Sequence, residues 1–217
     1  MNLFSRGASP RRSDTLVEPK RPAGRPVSSR GGRSEPDLVA LTGNWIIDPA
    51  HSRIGFSVRH AMVTTVRGAF TDYQSRLFFD GRDPSRSGAE IVLSTASVET
   101  GVDQRDSHLT GRDFLDSAVY PHMRFLSTAV RLAGPDVYRM TGDLTIKDTT
   151  RPVVLELTYI GHVTDPFGYE RVGFDGTTTI NRSEWGLTYD SRLAEGGAMV
   201  SEKVRLQFDI AAIRSTS

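Results

Sequence analysis

Length, composition and charge exclude several classes of protein at once. The chain has 217 residues, 18 aromatic residues and no cysteine. It therefore fits one domain with an extension, or at most two small domains, and it excludes a disulfide framework, a thiolate metal site and a catalytic thiol. The 27 basic and 26 acidic residues give a formal net charge of +1, which divides into +4 over residues 1–40 and −3 over residues 41–217.

Residues 1–40 have the composition of a disordered tail. They contain eight basic and four acidic residues, five of the 11 prolines, and Phe4 as their single aromatic residue. So few large apolar side chains cannot offset the entropy lost on ordering. We therefore predict a disordered tail over residues 1–40 and one folded domain over residues 41–217. The tail shows no nucleic-acid motif, so we expect no nucleic-acid partner. A solvated linker and a peripheral contact with an anionic membrane surface both stay open.

The sequence shows no secretory signal and no transmembrane segment. A signal peptide needs about 7–15 consecutive apolar residues, whereas the tail has only pairs such as Leu3-Phe4 and Leu16-Val17. Elsewhere no stretch approaches the ~20 apolar residues of a membrane-spanning helix. We predict a cytoplasmic protein.

From Asn44 onward, alternating apolar and polar residues predict β-strands. In chain order, the eight predicted strands are Arg53–Arg59, Val66–Phe79, Ala89–Val98, Met123–Leu132, Arg139–Lys147, Val153–His162, Tyr169–Ile180 and Lys203–Ile210. Short turn sequences such as Asp80-Gly81 separate them, which favours antiparallel neighbours. The stretch from Gly101 to Pro121 instead predicts a helical insertion, with Asp103 as its cap and Gly111 dividing it into two pieces.

These elements predict an all-β protein, an eight-stranded antiparallel β-barrel with a short helical insertion. Closing the sheet buries its apolar face and removes its edges. A barrel of about eight strands can be filled by its own side chains or can hold one small ligand. The small residues predicted to face inward either widen a cavity or only relieve crowding, and the sequence leaves both alternatives open. They are Ser127, Ala129, Gly142 and Gly176.

An ordered set of motifs accompanies this strand pattern. The principal ones are Asp48-Pro49-Ala50-His51-Ser52, Ser97-Val98-Glu99-Thr100-Gly101, Arg105-Asp106-Ser107-His108-Leu109 and Ile180-Asn181-Arg182-Ser183-Glu184-Trp185-Gly186. From about Gly43 to Ile213 the chain resembles the YceI-like family of polyisoprenoid-binding, bacterial lipocalin-like proteins, although Trp185 stands where a Phe is common. The resemblance implies a lipocalin-like barrel with a helix near one end, enclosing a long apolar tunnel for a polyisoprenoid or other amphiphilic lipid.

The alternation and the resemblance together predict a set of ligand-binding residues. They are Ile54, Phe56, Val58, Phe70, Leu93, Phe114, Phe125, Met140, Leu144, Phe174 and Phe208 on the wall, with Arg105 and His108 near the helical lid. Arg105 and His108 have a second interpretation, in which they and Asp106 tie the insertion to the barrel rim. Neighbours in one turn cannot form a Ser-His-Asp relay, so we predict no catalytic residue here.

We therefore predict a non-catalytic protein that binds, sequesters or transports a long-chain polyisoprenoid or similar lipid, with no cofactor and no metal. One alternative is a hydrolase or isomerase that acts on a bound isoprenoid chain, with His108 or His122 as general base. Another is a stress-related interaction protein whose cavity is incidental. The sequence does not determine the oligomeric state, and a homodimer is compatible with it.

Overall fold

The computed structural model describes residues 38–61, 63–191 and 199–215. Its strands are β1 Gly43–Ile47, β2 Arg53–His60, β3 Thr64–Phe70, β4 Tyr73–Phe79, β5 Gly88–Ser94, β6 Val98–Glu99, β7 His122–Gly134, β8 Val137–Ile146, β9 Thr149–Thr164, β10 Glu170–Asn181 and β11 Val200–Arg214. The α-helix is α1 Asp103–Thr110, and the short 3-10 helices are Leu38–Leu41, Pro49–His51, Pro84–Arg86, Thr95–Ser97 and Arg182–Trp185.

The predicted tail overlaps the described residues by a few positions. Leu38–Leu41 form a 3-10 helix in which Leu41 is buried, and the boundary at residue 40 stays a prediction. The rest of the predicted tail, residues 1–37, lies outside the described residues.

The strands form a closed antiparallel barrel of eight strands, as predicted. Three barrel strands are each interrupted once, so that β1 with β2, β3 with β4, and β5 with β6 act as single strands. Both β1 and β2 pair with the long strand β11, at Ile47↔Ala212 and at Arg53↔Asp209. The ring then runs through β4, β5, β7, β8, β9 and β10 back to β11, and the pairing of β1 with β11 closes it. The predicted strand Val66–Phe79 is therefore one barrel strand, bent where β3 ends and β4 begins.

Two sequence predictions fail locally. A β-bulge between Ser127 and Ala129 shifts the alternation of β7, so Ala129 is exposed on the outside of the barrel rather than inward. In the insertion, α1 runs from Asp103 to Thr110 with Val102 at its N-cap position, so Asp103 is its first residue and not its cap. The predicted second helical piece is a series of turns. No helix in the described part of the chain is long and apolar enough to cross a membrane.

An ion-pair cluster fixes the corner between β1 and β2 to the β9–β10 hairpin. The Arg171 guanidinium donates through Nη1 to Asp48 Oδ2 (2.5 Å) and through Nε to Asp165 Oδ2 (2.8 Å). Asp48 also accepts from the backbone N–H of Ala50, which caps the 3-10 helix at the corner. We call Asp48, Arg171 and Asp165 the Arg171 clamp. All three side chains are largely buried, so the clamp joins two distant parts of the chain at this end of the barrel.

The Arg171 clamp predicts stability that is lost in acid. The hydrogen bond from Arg171 lowers the pKa of Asp48. Burial raises the pKa of Asp165, but the hydrogen bonds from Arg171 and the Tyr169 backbone lower it overall. Because both pKa values are lowered on folding, the unfolded chain takes up protons first as the pH falls. The stabilisation that the Arg171 clamp provides is therefore fully present above the unfolded pKa of about 4. It is lost as the pH falls through the lower pKa values that the two carboxyl groups have in the folded protein.

We expect the wild-type protein to have a higher Tm than Arg171→Gln at neutral pH, and the difference to shrink steadily below about pH 4. Thermal unfolding followed by circular dichroism across this pH range measures the difference. A Tm difference that stays constant down to about pH 3 would contradict the role of the two carboxylates.

Candidate functional site

The barrel encloses an apolar cavity of about 260 Å³. All eight barrel strands contribute side chains to its wall, as do α1 and the turns that follow it. Among the described residues the wall includes no charged side chain. The volume is close to the lower end of the range for small-molecule sites, about 300–1,000 Å³. Of the two alternatives that the sequence left open, the structure shows a cavity and not a filled interior.

Most of the predicted ligand-binding residues lie on this wall. Those present are Ile54, Phe56, Phe70, Leu93, Phe114, Phe125, Met140, Leu144, Phe174 and Phe208. The structure does not place Val58, Arg105 or His108 on it; Val58 is half-buried and pairs with the wall residue Val204. That any of these residues binds a ligand stays a prediction.

Glycines make room for the aromatic rings of the wall. A Cβ placed on Gly142 would lie 2.5 Å from Cζ of Phe125 and 2.6 Å from the carbonyl oxygen of Leu126. A Cβ placed on Gly68 would likewise meet the Phe56 ring at 2.5 Å. Real side chains do not approach so closely, so these two positions must be glycine for the rings to lie flat along the wall. Gly142 therefore relieves crowding, which is one of the two roles considered for it.

An aromatic cluster closes the cavity at the end where β1 begins. Phe79, Tyr138 and Phe174 contact one another with ring centroids 6.0–6.3 Å apart. Trp45 is 2 % exposed and donates its indole N–H to the carbonyl of Leu41 at 3.0 Å. We call Trp45, Phe79, Tyr138 and Phe174 the aromatic plug. Burial raises the pKa of Tyr138, which keeps its hydroxyl neutral.

Sequence reasoning named only Phe174 from the plug. The signal for two others was present, because Tyr138 precedes the predicted wall residue Met140 by two positions, and Trp45 precedes Ile47 by two. Alternation along a strand puts such pairs on one face. The assignment was missed because Trp45 lies in a strand of five residues and Tyr138 lies at the start of β8, where the pattern is short.

The helical insertion covers the opposite end of the cavity. Leu109, Phe114 and Leu115 line the cavity from this side, and we call residues 101–121 the lid. The ring of His108 contacts the edges of Phe114 and Tyr189, with centroids 5.1 and 4.9 Å away. His108 thus packs on the outer side of a residue that lines the cavity.

Polar contacts fasten the lid to the barrel at Thr100, directly after β6. Arg105 donates to the hydroxyl of Thr100 (2.7 Å) and to its carbonyl (2.9 Å). Asp106 accepts from the Thr100 hydroxyl and from its backbone N–H. Burial raises the pKa of Asp106, but the hydrogen bonds from Thr100 lower it overall, so the carboxylate stays charged. His108 binds Asp113 within the lid (2.9 Å). These contacts support the interpretation that Arg105, Asp106 and His108 tie the insertion to the barrel rim. That Arg105 and His108 contact a ligand stays a prediction.

A buried arginine organises the segment beside the lid. Arg182 is 3 % exposed, and its guanidinium donates to the carbonyls of Leu187, Tyr189 (2.8 Å), Val200 (3.1 Å) and Ser201 (3.1 Å). Four carbonyls from two chain segments thus share one cation, and this joins residues 187–189 to β11. Arg182 belongs to one of the sequence motifs, but no role was predicted for it.

Trp185 joins the turn after β10 to β8. Its side chain is 2 % exposed, and its indole N–H donates to the carbonyl of Leu144 at 3.0 Å. Gly186, which follows, has φ +72°, a left-handed conformation that favours glycine. The tryptophan therefore adds a hydrogen bond from this turn to β8 that a phenylalanine could not make.

The comparisons with known proteins agree with this architecture. The family model described as the YceI-like domain matches residues 45–212. The chain belongs to the YceI-like family. Similar family relatives include a UPF0312 protein of Pseudomonas savastanoi pv. phaseolicola, 37 % identical over 150 residues that cover 68 % of this chain and 78 % of the relative. A UPF0312 protein of Ectopseudomonas mendocina is 34 % identical over 177 residues, which cover 81 % and 90 %.

Solved structures show the same YceI-like barrel. BcnA of Burkholderia cenocepacia is 25 % identical with a TM-score of 0.67, covering 76 % of this chain and 98 % of that one. The YCEI protein of Campylobacter jejuni is 28 % identical with a TM-score of 0.63, covering 77 % and 96 %. A polyisoprenoid binding domain from Saccharophagus degradans shares the fold, with 13 % identity, a TM-score of 0.59 and coverage of 79 % and 98 %. Family membership and the enclosed cavity support a binding protein.

Proposed function

We propose that this YceI-like protein binds, sequesters or transports a long-chain polyisoprenoid or a similar amphiphilic lipid, without chemical change to it. The observation that carries the proposal is the cavity wall, which is apolar along the barrel and includes no charged side chain among the described residues. Such a wall favours hydrocarbon and penalises any buried polar group that lacks a partner.

Apolar burial alone is sufficient for binding. Burying ~20 methylene-like carbons at about 0.8 kcal/mol each contributes roughly 16 kcal/mol. Ordering a flexible chain and restricting its translation costs several to about ten kcal/mol of this. At least about 6 kcal/mol remains, which corresponds to a Kd of tens of micromolar or lower with no polar contact. Selectivity for chain length is therefore expected to be loose.

The positions of two histidines favour binding over catalysis. His108 and His122 were the general bases of the alternative hydrolase or isomerase. Neither lies on the cavity wall: His108 contacts Asp113 and the outer side of the lid, and His122 is exposed at the start of β7. A general base must come within hydrogen-bond reach of the atom it deprotonates. These positions support a protein that leaves its ligand unchanged.

Filling the cavity is expected to abolish lipid uptake. Met140 is a half-buried wall residue on β8, so Met140→Trp directs a larger side chain into the space that the ligand would occupy. We expect retinol, a fluorescent isoprenoid alcohol, to bind the wild type with a rise in its emission, and its affinity to fall about tenfold or more in Met140→Trp, a loss of about 1.4 kcal/mol.

Val154→Trp is the matched control for Met140→Trp. Val154 lies on the neighbouring strand β9 and is 45 % exposed on the outer face of the barrel. The control should bind retinol as the wild type does. Equal affinity in Met140→Trp and Val154→Trp would contradict binding inside the cavity. Native mass spectrometry of the purified protein should in addition show a co-purified lipid of unchanged mass.

A further inference from the structure

The backbone hydrogen-bond ladder between β5 and β7 ends early, which leaves a gap in the pairing of these two strands. Backbone pairing of these strands stops at Glu90↔Leu126. At the next position, the N–H of Ala89 donates to the side-chain hydroxyl of Ser127 at 2.8 Å instead of to a carbonyl. The bulge between Ser127 and Ala129 then changes the course of β7. The first residues of β5 therefore lack a backbone partner on this side.

The apolar cavity extends as far as the residues that border this gap. Its lining includes Phe78, Ser87 and Gly88, and Phe78 points outward and is 37 % exposed. On the outside lies a groove of about 320 Å³. The cavity and the groove share four lining residues, which are Leu77, Phe78, Gly88 and Ala89. The inner and outer spaces therefore lie on the two sides of the same short stretch of wall.

The groove offers polar partners that the cavity lacks. Arg76 and Glu90 line it, and Glu90 is bound by Arg124 (2.8 Å) and lies 3.9 Å from Arg76. Both arginines are at least half exposed, so their remaining N–H groups are open to solvent. The apolar side of the groove is Phe78 with Leu126, which is 40 % exposed. A molecule lying here would contact apolar groups toward the gap and charged groups beyond it.

We propose that this gap is a side portal, through which the hydrocarbon chain of the ligand enters the cavity while its oxygen-bearing polar end stays in the outer groove. The inference rests on the proposed lipid-binding function. Burying a polar end inside the cavity would leave its hydrogen bonds unmade, whereas the groove provides donors and water. The aromatic plug and the lid cover the two ends of the barrel, so a route through the side wall would pass where the pairing of β5 and β7 ends.

A reducible disulfide tests the portal. Because the chain contains no cysteine, the two introduced thiols can pair only with each other within one molecule. A Cβ on Gly88 would lie 3.3 Å from Oγ of Ser127 with no other contact within 4 Å, so Gly88→Cys with Ser127→Cys can form a bond across the gap. We expect the oxidised double variant to take up retinol about tenfold more slowly than the same protein after reduction. Stopped-flow retinol fluorescence measures both rates, and loss of free thiols verifies the bond.

The matched control closes a continuous part of the wall. Thr145 and Thr150 face each other on the outside of β8 and β9 with their hydroxyls 2.8 Å apart. Thr145→Cys with Thr150→Cys should give the same uptake rate before and after reduction. Equal rates for the oxidised and reduced Gly88–Ser127 pair would overturn the portal and leave the proposed function standing. Failure of the wild type to bind retinol would contradict the proposed function, and the portal with it.

A single cysteine tests whether the bound ligand occupies the gap. We expect retinol to slow the alkylation of Gly88→Cys by a fluorescent maleimide about fivefold, because the ligand then covers the thiol. Thr150→Cys, on the outer face of β9, should react at the same rate with and without retinol. Unchanged alkylation of Gly88→Cys at saturating retinol would overturn the portal.

Discussion

Arg182→Met is expected to lower the free energy of unfolding by about 3–5 kcal/mol. The substitution keeps an unbranched apolar stem and removes the cation. Four backbone carbonyls, those of Leu187, Tyr189, Val200 and Ser201, then lose a charged donor in a buried place. The nearest carboxylate, Glu202 at 3.4 Å, is half exposed and water can solvate it. Most of the loss therefore comes from the carbonyls and not from a broken ion pair.

Urea unfolding of Arg182→Met beside Arg151→Met measures this loss. Arg151 also donates to a backbone carbonyl, that of Glu184 at 2.7 Å, but it is exposed on the surface. Because water replaces that single bond, Arg151→Met should cost under about 1 kcal/mol. Arg182→Lys should fall between the two, since one ammonium group cannot reach four carbonyls. If Arg182→Met loses no more than Arg151→Met, the guanidinium does not organise this segment.

The barrel could be predicted from sequence because alternation is a strong signal over its long strands. The interruptions were not predicted. In residues 66–79 the apolar positions change from even numbers up to Phe70 to odd numbers from Tyr73, and the bend between β3 and β4 lies at this change. The N–H of Thr71 donates to the carbonyl of Ser97, and the carbonyl of Asp72 accepts from the N–H of Ser94. These backbone contacts hold the bend in place, and the residue pattern alone does not identify their partners.

The same reasoning explains which parts of the cavity were predicted. Residues such as Phe125 and Met140 lie within regular stretches of β7 and β8, so their direction follows from their spacing. Ala129 was assigned to the wrong face because one bulge reverses every later position on that strand. Arg182 was missed since its partners are main-chain carbonyls, which any sequence supplies. The gap at Gly88 likewise depends on a pairing that ends early.

Phe125→Ala is expected to lower the free energy of unfolding by about 3–5 kcal/mol while retinol binding survives. Phe125 is 5 % exposed and its ring lies against Gly142 on the neighbouring strand. Removing the ring loses its packing contacts and enlarges a space that is already a cavity. The free energy of unfolding should therefore fall while the affinity for retinol is kept. Thermal or urea unfolding measures the first, and retinol titration measures the second.

Coupling between Phe125 and Gly142 tests the physical basis of that loss. Gly142→Ala alone should cost about 1–3 kcal/mol, because its methyl group meets the Phe125 ring and the carbonyl of Leu126. In the Phe125→Ala background the ring is gone, so the same substitution should cost about 1 kcal/mol less. The new methyl group still meets the Leu126 carbonyl in this background, so part of the stability cost of Gly142→Ala remains.

Gly176→Ala is the control for this coupling, since its methyl group would meet Leu157 and the carbonyl of Glu156 and not Phe125. Its cost should add to that of Phe125→Ala within about 0.5 kcal/mol. If the stability costs of Phe125→Ala and Gly142→Ala are also additive, the Phe125 ring does not need the space that Gly142 leaves open. Only the pair in contact should depart from additivity, because the space that Gly142 leaves open is the space that the Phe125 ring occupies.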